Sequence, residues 1–196
     1  RWRLSTLPKY LPPEELKRVI EACEDSTELD VRNKTIILLL ARLGLRAGEV
    51  AGLKIDDINW QNGTFKIMGK NRRETNMPLP QDVGDALHQY LSVARPDVGS
   101  DSIFIRACAP REGITREIVS DVAAKAIRKA NVVAPSYGAH VLRHSVATSL
   151  LRQGSSLQVV GELLRHESVE TTAHYAKVDT TLLQLVTKPW PGEESC

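Results

Sequence analysis

Residues 29–53, LDVRNKTIILLLARLGLRAGEVAGL, decide the fold. Their centre, TIILLLA, is apolar on every side, so no face of it suits water. A helix of that kind belongs in the middle of a domain, with other elements packed around it. Gly44 stops it, because glycine takes the left-handed backbone that ends helices. A second short helix, RAGEVAGL, follows at once, so Arg46 rides on rigid structure beneath the most buried part of the chain.

Upstream, LPPEELKRVIEAC reads as a helix: prolines occupy its first turn, with Glu14 and Glu15 just inside. Downstream, INWQNGTFKI places β-formers on both sides of Asn62-Gly63, which signals a hairpin. GKNRRETNMPLP then reads as a turn and a third short strand ending at Pro78 and Pro80. Residues 81–94 have helical spacing, with Val83, Leu87 and Leu91 in phase, and Arg95-Pro96 ends them. SIFI, residues 102–105, reads as a short strand or a buried link. Helices are expected over about 115–130, 139–153, 156–164 and 169–175. The fold class is therefore mainly α with a small antiparallel β-sheet, an α+β domain.

The 196 residues suit one moderately large domain or two small ones. A net charge of +2 means that any basic face must be local, since 26 Lys and Arg nearly balance 24 acids. The longest apolar run, residues 36–41, is far too short to cross a bilayer, so no membrane partner is expected. Cys23, Cys108 and Cys196 are widely spaced, which argues against a disulfide framework or zinc knuckle and fits a reducing, cytoplasmic compartment. Residues 1–10 read as linker and lack a starting methionine.

The residues that carry chemistry are individually ordinary. Arg46 and Glu49 sit three apart, as a phosphate-facing guanidinium with its support or as a plain surface ion pair. Lys70 rides a turn beside Arg72 and Arg73, either solvated or delivering an ammonium to a leaving oxygen while its neighbours meet DNA backbone. His140 and Arg143, in HVLRH, share a helix face as a phosphate site would require. His140 and His144 also have the spacing of half a zinc site, but the zincin motif needs glutamate where Val141 stands, so no metal is assigned. His166 ends one helix and Tyr175 closes the next in LLRHESVETTAHYAKV. A phenol, with its usual pKa near ~10, is a poor nucleophile until cations stabilise the phenolate and a base takes the proton. Among the other tyrosines, Tyr10 is in the linker, Tyr90 shares a face with core-type Leu87 and Leu91, and Tyr137 is in a loop.

Taken in order, RAGE, MGKNRR, HVLRH and HESVETTAHY resemble the signature of the tyrosine recombinases, or phage-type integrases, over nearly the whole chain. The resemblance implies an enzyme that cuts and rejoins double-stranded DNA for site-specific recombination. Tyr175 would be the nucleophile that forms a 3′-phosphotyrosine, and Arg46 and Arg143 the clamp on the non-bridging oxygens. Lys70 would protonate the departing 5′-oxygen, His140 assist proton transfer at the tyrosine, and His166 donate to phosphate, with Glu49 in support. Because the phosphotyrosine conserves the broken bond's energy, the family needs no cofactor: neither ATP nor metal. It also implies a catalytic domain over 11–178, preceded in the family by a DNA-clamping domain, with 179–196 as a C-terminal segment packed in cis or exchanged between protomers. The expected assembly is a dimer on each DNA site and a tetramer in synapsis.

Two departures stand out. Arg165 occupies the position before His166 where the family usually has glycine, and is expected to add a phosphate contact or to alter how His166 is presented. The turn GKNRR replaces the commoner GKGNK. Competing functions are a type IB topoisomerase, which uses a similar constellation, and a catalytically silent DNA-binding module.

Overall fold

The computed structural model describes residues 9–68 and 74–165. Lys70, Arg72, Arg73, His166 and Tyr175, the expected helix over 169–175 and the C-terminal segment lie outside the described residues.

The described elements are seven α-helices, three strands, a 3-10 turn at Ile55–Asp57 and a π turn at Tyr90–Ala94. Helix α1 (Pro13–Glu21) has proline in its first turn, as its sequence demands. Helix α2 (Glu28–Leu43) starts at Thr27, whose hydroxyl accepts the Asp30 amide at 3.1 Å, and ends at Gly44 in the left-handed region, φ +60°. Helix α2 lies at the centre, against α1, the short α3 (Ala47–Ala51), α4 (Gln81–Gln89), α5 (Arg116–Lys129) and α6 (Ala139–Arg152). Ile36, Ile37, Leu39 and Leu40 are all fully buried there, which accounts for a helix apolar on every side.

The sheet has the order β1-β2-β3, antiparallel throughout. It comprises β1 (Ile58–Asn59), β2 (Thr64–Met68) and β3 (Glu74–Pro78). Phe65 faces Met77 across the β2–β3 pair, and both are buried. Residues 69–73, with Lys70, Arg72 and Arg73, connect these two strands in sequence.

Helix α7 (Leu157–Leu163) is capped by Ser156, whose hydroxyl accepts the Val159 amide. It packs on α6 through a small apolar cluster of Ala147, Leu151, Val160 and Leu164, distinct from the main core. That separate footing matters, because α7 leads directly to His166 in the sequence.

Two expectations are refined. Residues 81–94 are α-helical only to Gln89; Tyr90–Ala94 widens into a π turn, closed by the Arg95 amide on the Tyr90 carbonyl. Tyr90 is wholly buried and its hydroxyl accepts the Ile105 amide at 3.2 Å. SIFI is a buried link rather than a strand. Isolated bridges pair Ser102 with Lys54 and Ile105 with Gly113, and its backbone is satisfied piecemeal. The Ile103 amide donates to the Leu53 carbonyl, the Phe104 carbonyl accepts the Ile114 amide, Arg95 binds the Ser102 and Ile103 carbonyls, and Arg32 binds that of Ile105.

Candidate active site

Three chain segments meet: the α2–α3 turn, the first turns of α6, and the C-terminal end of α7. Arg46 is the N-cap of α3. Glu49, on the first turn, accepts the Arg46 backbone amide at 2.7 Å and its Nη1 at 2.8 Å. The same carboxylate holds Arg165, with Nη2 at 2.7 Å and Nε at 3.4 Å. The carboxylate is thus shared by two guanidiniums, one from α3 and one from beyond α7. Burial alone would push the Glu49 carboxyl up, but the charge and hydrogen bonds of Arg165 and Arg46 more than offset it. The net effect holds Glu49 below the ordinary carboxylate range.

Arg143, buried on α6, donates to the Gly44 carbonyl and to the Leu164 carbonyl. Those carbonyls belong to the C-caps of α2 and α7, where the helix dipoles concentrate negative charge. A buried cation is tolerated here because two helix ends face it. Arg46 Nη2 meanwhile donates to the Arg165 carbonyl at 3.1 Å. The two arginines therefore reach consecutive carbonyls, Leu164 and Arg165, at one end of α7. The residue that follows is His166.

His140, one turn before Arg143, places its Nε2 within hydrogen-bond distance of His144 Nε2, and the rings meet edge to face. Partial burial of the ring, and then the Arg143 charge, hold the His140 pKa below the ordinary histidine value. A neutral imidazole able to accept a proton is the consequence near pH 7. His144 contributes no glutamate-bearing zinc motif, and among the described residues no group of three or more His, Cys, Asp or Glu side chains is placed to hold a metal.

The structure brings Arg46, Glu49 and Arg143 to one end of α7, with His140 one turn from Arg143 on α6. Arg165 is placed differently from the expected phosphate contact. Its side chain is only 9% exposed against 41% for Arg46, and it turns inward to Glu49, the Leu163 carbonyl and Met77 Sδ. Its φ is +54°, which explains why glycine suits this position in the family pattern. A side chain here costs about 1–3 kcal/mol of backbone strain, and the buried ion pair opposes that cost. Sequence reasoning missed this pair because its members are 116 residues apart. It also missed the Leu164 and Gly44 carbonyls, since main-chain acceptors leave no mark in a residue pattern.

The profile of the phage integrase family matches residues 9–181. The putative integrase/recombinase y4rA of Sinorhizobium fredii is 39% identical over 193 residues, 98% of this chain and 47% of its own length. Tyrosine recombinase XerD of Listeria innocua is 33% identical over 188 residues, 93% of this chain and 62% of its own. The chain thus spans about half the length of y4rA. Among solved structures, the XerH site-specific recombinase, bound to palindromic difH substrate in a post-cleavage complex, superposes with a TM-score of 0.80. It is 29% identical, and the match covers 92% of this chain and 52% of that one. No described helix is long and apolar enough to cross a membrane. A fold of central helix, small sheet and paired arginines, and a family profile running through most of the chain, lead to one assignment: this protein belongs to the phage integrase family, that of the tyrosine recombinases.

Proposed function

We propose that this chain carries the catalytic machinery of a site-specific DNA recombinase that cuts and rejoins double-stranded DNA through a 3′-phosphotyrosine. The observation that supports this most is the convergence of Arg46 and Arg143 on consecutive carbonyls at one end of α7, with His140 beside Arg143. Two guanidiniums held by rigid helix ends can clamp the non-bridging oxygens of one phosphate. His140, kept neutral, accepts the Tyr175 hydroxyl proton as that oxygen attacks phosphorus. The bond from phosphorus to the 5′-oxygen breaks as the bond to Tyr175 forms, and Lys70 supplies the proton to the leaving oxygen. His166 donates to a phosphate oxygen. A 5′-hydroxyl from another strand reverses the steps and releases Tyr175. Arg72 and Arg73 meet the DNA backbone, and the working assembly is a dimer on each site and a tetramer in synapsis, in the cytoplasm. DNA binding by XerH, which shares the fold and 29% of its aligned sequence, supports DNA as the substrate.

The test is covalent capture. The chain is incubated with plasmid carrying the DNA that flanks its own gene, stopped with denaturant, and assayed for protein–DNA adduct. An adduct lost in Tyr175→Phe and indifferent to chelator is the expected result. An adduct that survives Tyr175→Phe refutes the nucleophile, and a chelator-sensitive one reopens metal binding at His140 and His144. Relaxation of supercoiled plasmid by single protomers, without strand exchange, would favour the topoisomerase reading.

A further inference from the structure

Arg165 is the residue whose placement the reaction above leaves unexplained. It stands in a left-handed backbone conformation that side chains rarely adopt, so its side chain must return something. All three of its guanidinium nitrogens already donate within the protein. Nη2 and Nε bind Glu49 of α3, and Nη1 binds the Leu163 carbonyl of α7 and Met77 Sδ of β3. Arg46 returns the connection by donating to the Arg165 carbonyl. One side chain thus joins the helix that starts at Arg46, the strand pair that flanks the Lys70 turn in sequence, and the helix end that precedes His166.

We propose that Arg165 is a positioning residue for DNA cleavage, which fastens Glu49 and the end of α7 so that Arg46 is held facing the phosphate, and that it does not itself contact DNA. The proposal rests on the recombinase reading for the reaction it serves. Charge gives a second reason for it. Arg46 and Glu49 alone would be a neutral pair, with the carboxylate competing against phosphate for Arg46. Arg165 offsets that carboxylate, and the three groups together keep one net positive charge.

Arg165→Gly is the informative variant, because glycine accepts φ +54° without strain and the fold is spared that penalty. In single-turnover cleavage of the flanking-DNA plasmid, the rate for bound DNA is expected to fall roughly 10- to 100-fold, the scale of a small misplacement of a catalytic group. Arg165→Lys, which keeps the charge but not the fork, is expected to recover part of the rate. Binding of both variants to a random-sequence duplex should match the parent in affinity and in salt dependence. A salt slope shallower by about one, with weakened binding and unchanged cleavage of bound DNA, would mean a phosphate contact and overturn the proposal. A second arm needs no DNA: the Glu49 carboxyl carbon, followed by NMR against pH, should titrate at higher pH in Arg165→Gly. An unchanged Glu49 titration also overturns the proposal. If the parent chain forms no adduct, the recombinase reading fails, and the NMR arm still decides whether Arg165 braces Glu49.

Discussion

Replacing Gly44 with alanine should cost more than its backbone conformation alone explains, and the excess measures how tightly α7 is seated. Gly44 has φ +60°, and a Cβ there would lie 2.8 Å from Leu164 Cδ2 and 3.4 Å from Val146 Cγ1. Gly63, in the β1–β2 hairpin, has nearly the same φ of +58° but nothing within 4 Å of its Cβ position. It is therefore an internal control. Gly63→Ala should lose only the left-handed penalty of about 1–2 kcal/mol. Gly44→Ala adds overpacking against the fully buried Leu164, typically about 1–3 kcal/mol, for a total of about 2–5 kcal/mol. In a domain of this size each kcal/mol moves the melting temperature by roughly 2–4 °C. The assay is urea unfolding of both variants beside the parent, read as midpoint at constant slope. Leu164 precedes Arg165 and its carbonyl receives Arg143, so Gly44→Ala should also slow cleavage, whereas Gly63→Ala should not. Equal midpoint shifts for the two variants would refute the reasoning, since they would mean that Leu164 yields freely and the end of α7 is loosely held.

Other expectations follow from the same geometry. Glu49 has a carboxyl pKa lowered from an ordinary 4.5, so its stabilisation is complete above that pH and is lost as pH falls through the lower folded value. Acid unfolding curves of the parent and Glu49→Gln should therefore converge at low pH, and curves that stay parallel would contradict the pairing. His140 has a pKa depressed from 6.5, so the acidic limb of the cleavage rate should lie below pH 6.5 and disappear in His140→Gln. Measured at subsaturating DNA, where the rate reports the free protein, a limb at or above 6.5 would argue that His140 is not the acceptor. Arg143→Lys should reduce cleavage more than DNA binding, because lysine cannot span the Gly44 and Leu164 carbonyls while presenting a planar fork. Matching losses in both measurements would remove Arg143 from the reaction.

The residue pattern alone was enough for much of this protein. The all-apolar centre of α2 required burial in the middle of a helical domain, and Gly44 marked its end because few other residues tolerate that backbone. The hairpin at Asn62-Gly63 and the Arg46–Glu49 and His140–Arg143 spacings were legible for the same reason: each is a local relation within one turn or one pair of strands. The segment SIFI was not, because its backbone partners on Leu53, Ile114, Arg95, Arg32 and Tyr90 are brought to it by packing, and neither was the π turn, which the Arg95 amide closes on the Tyr90 carbonyl. Tertiary structure alone decided that Arg165 turns inward. Its sequence neighbours advertise a cation next to a candidate phosphate ligand, and nothing local favours either direction. What settles the matter is a buried carboxylate 116 residues away, brought within 2.7 Å by helix packing. In that low-dielectric setting a charge must be paired where it lies, so the partner, rather than the neighbourhood in sequence, dictates the side chain's course.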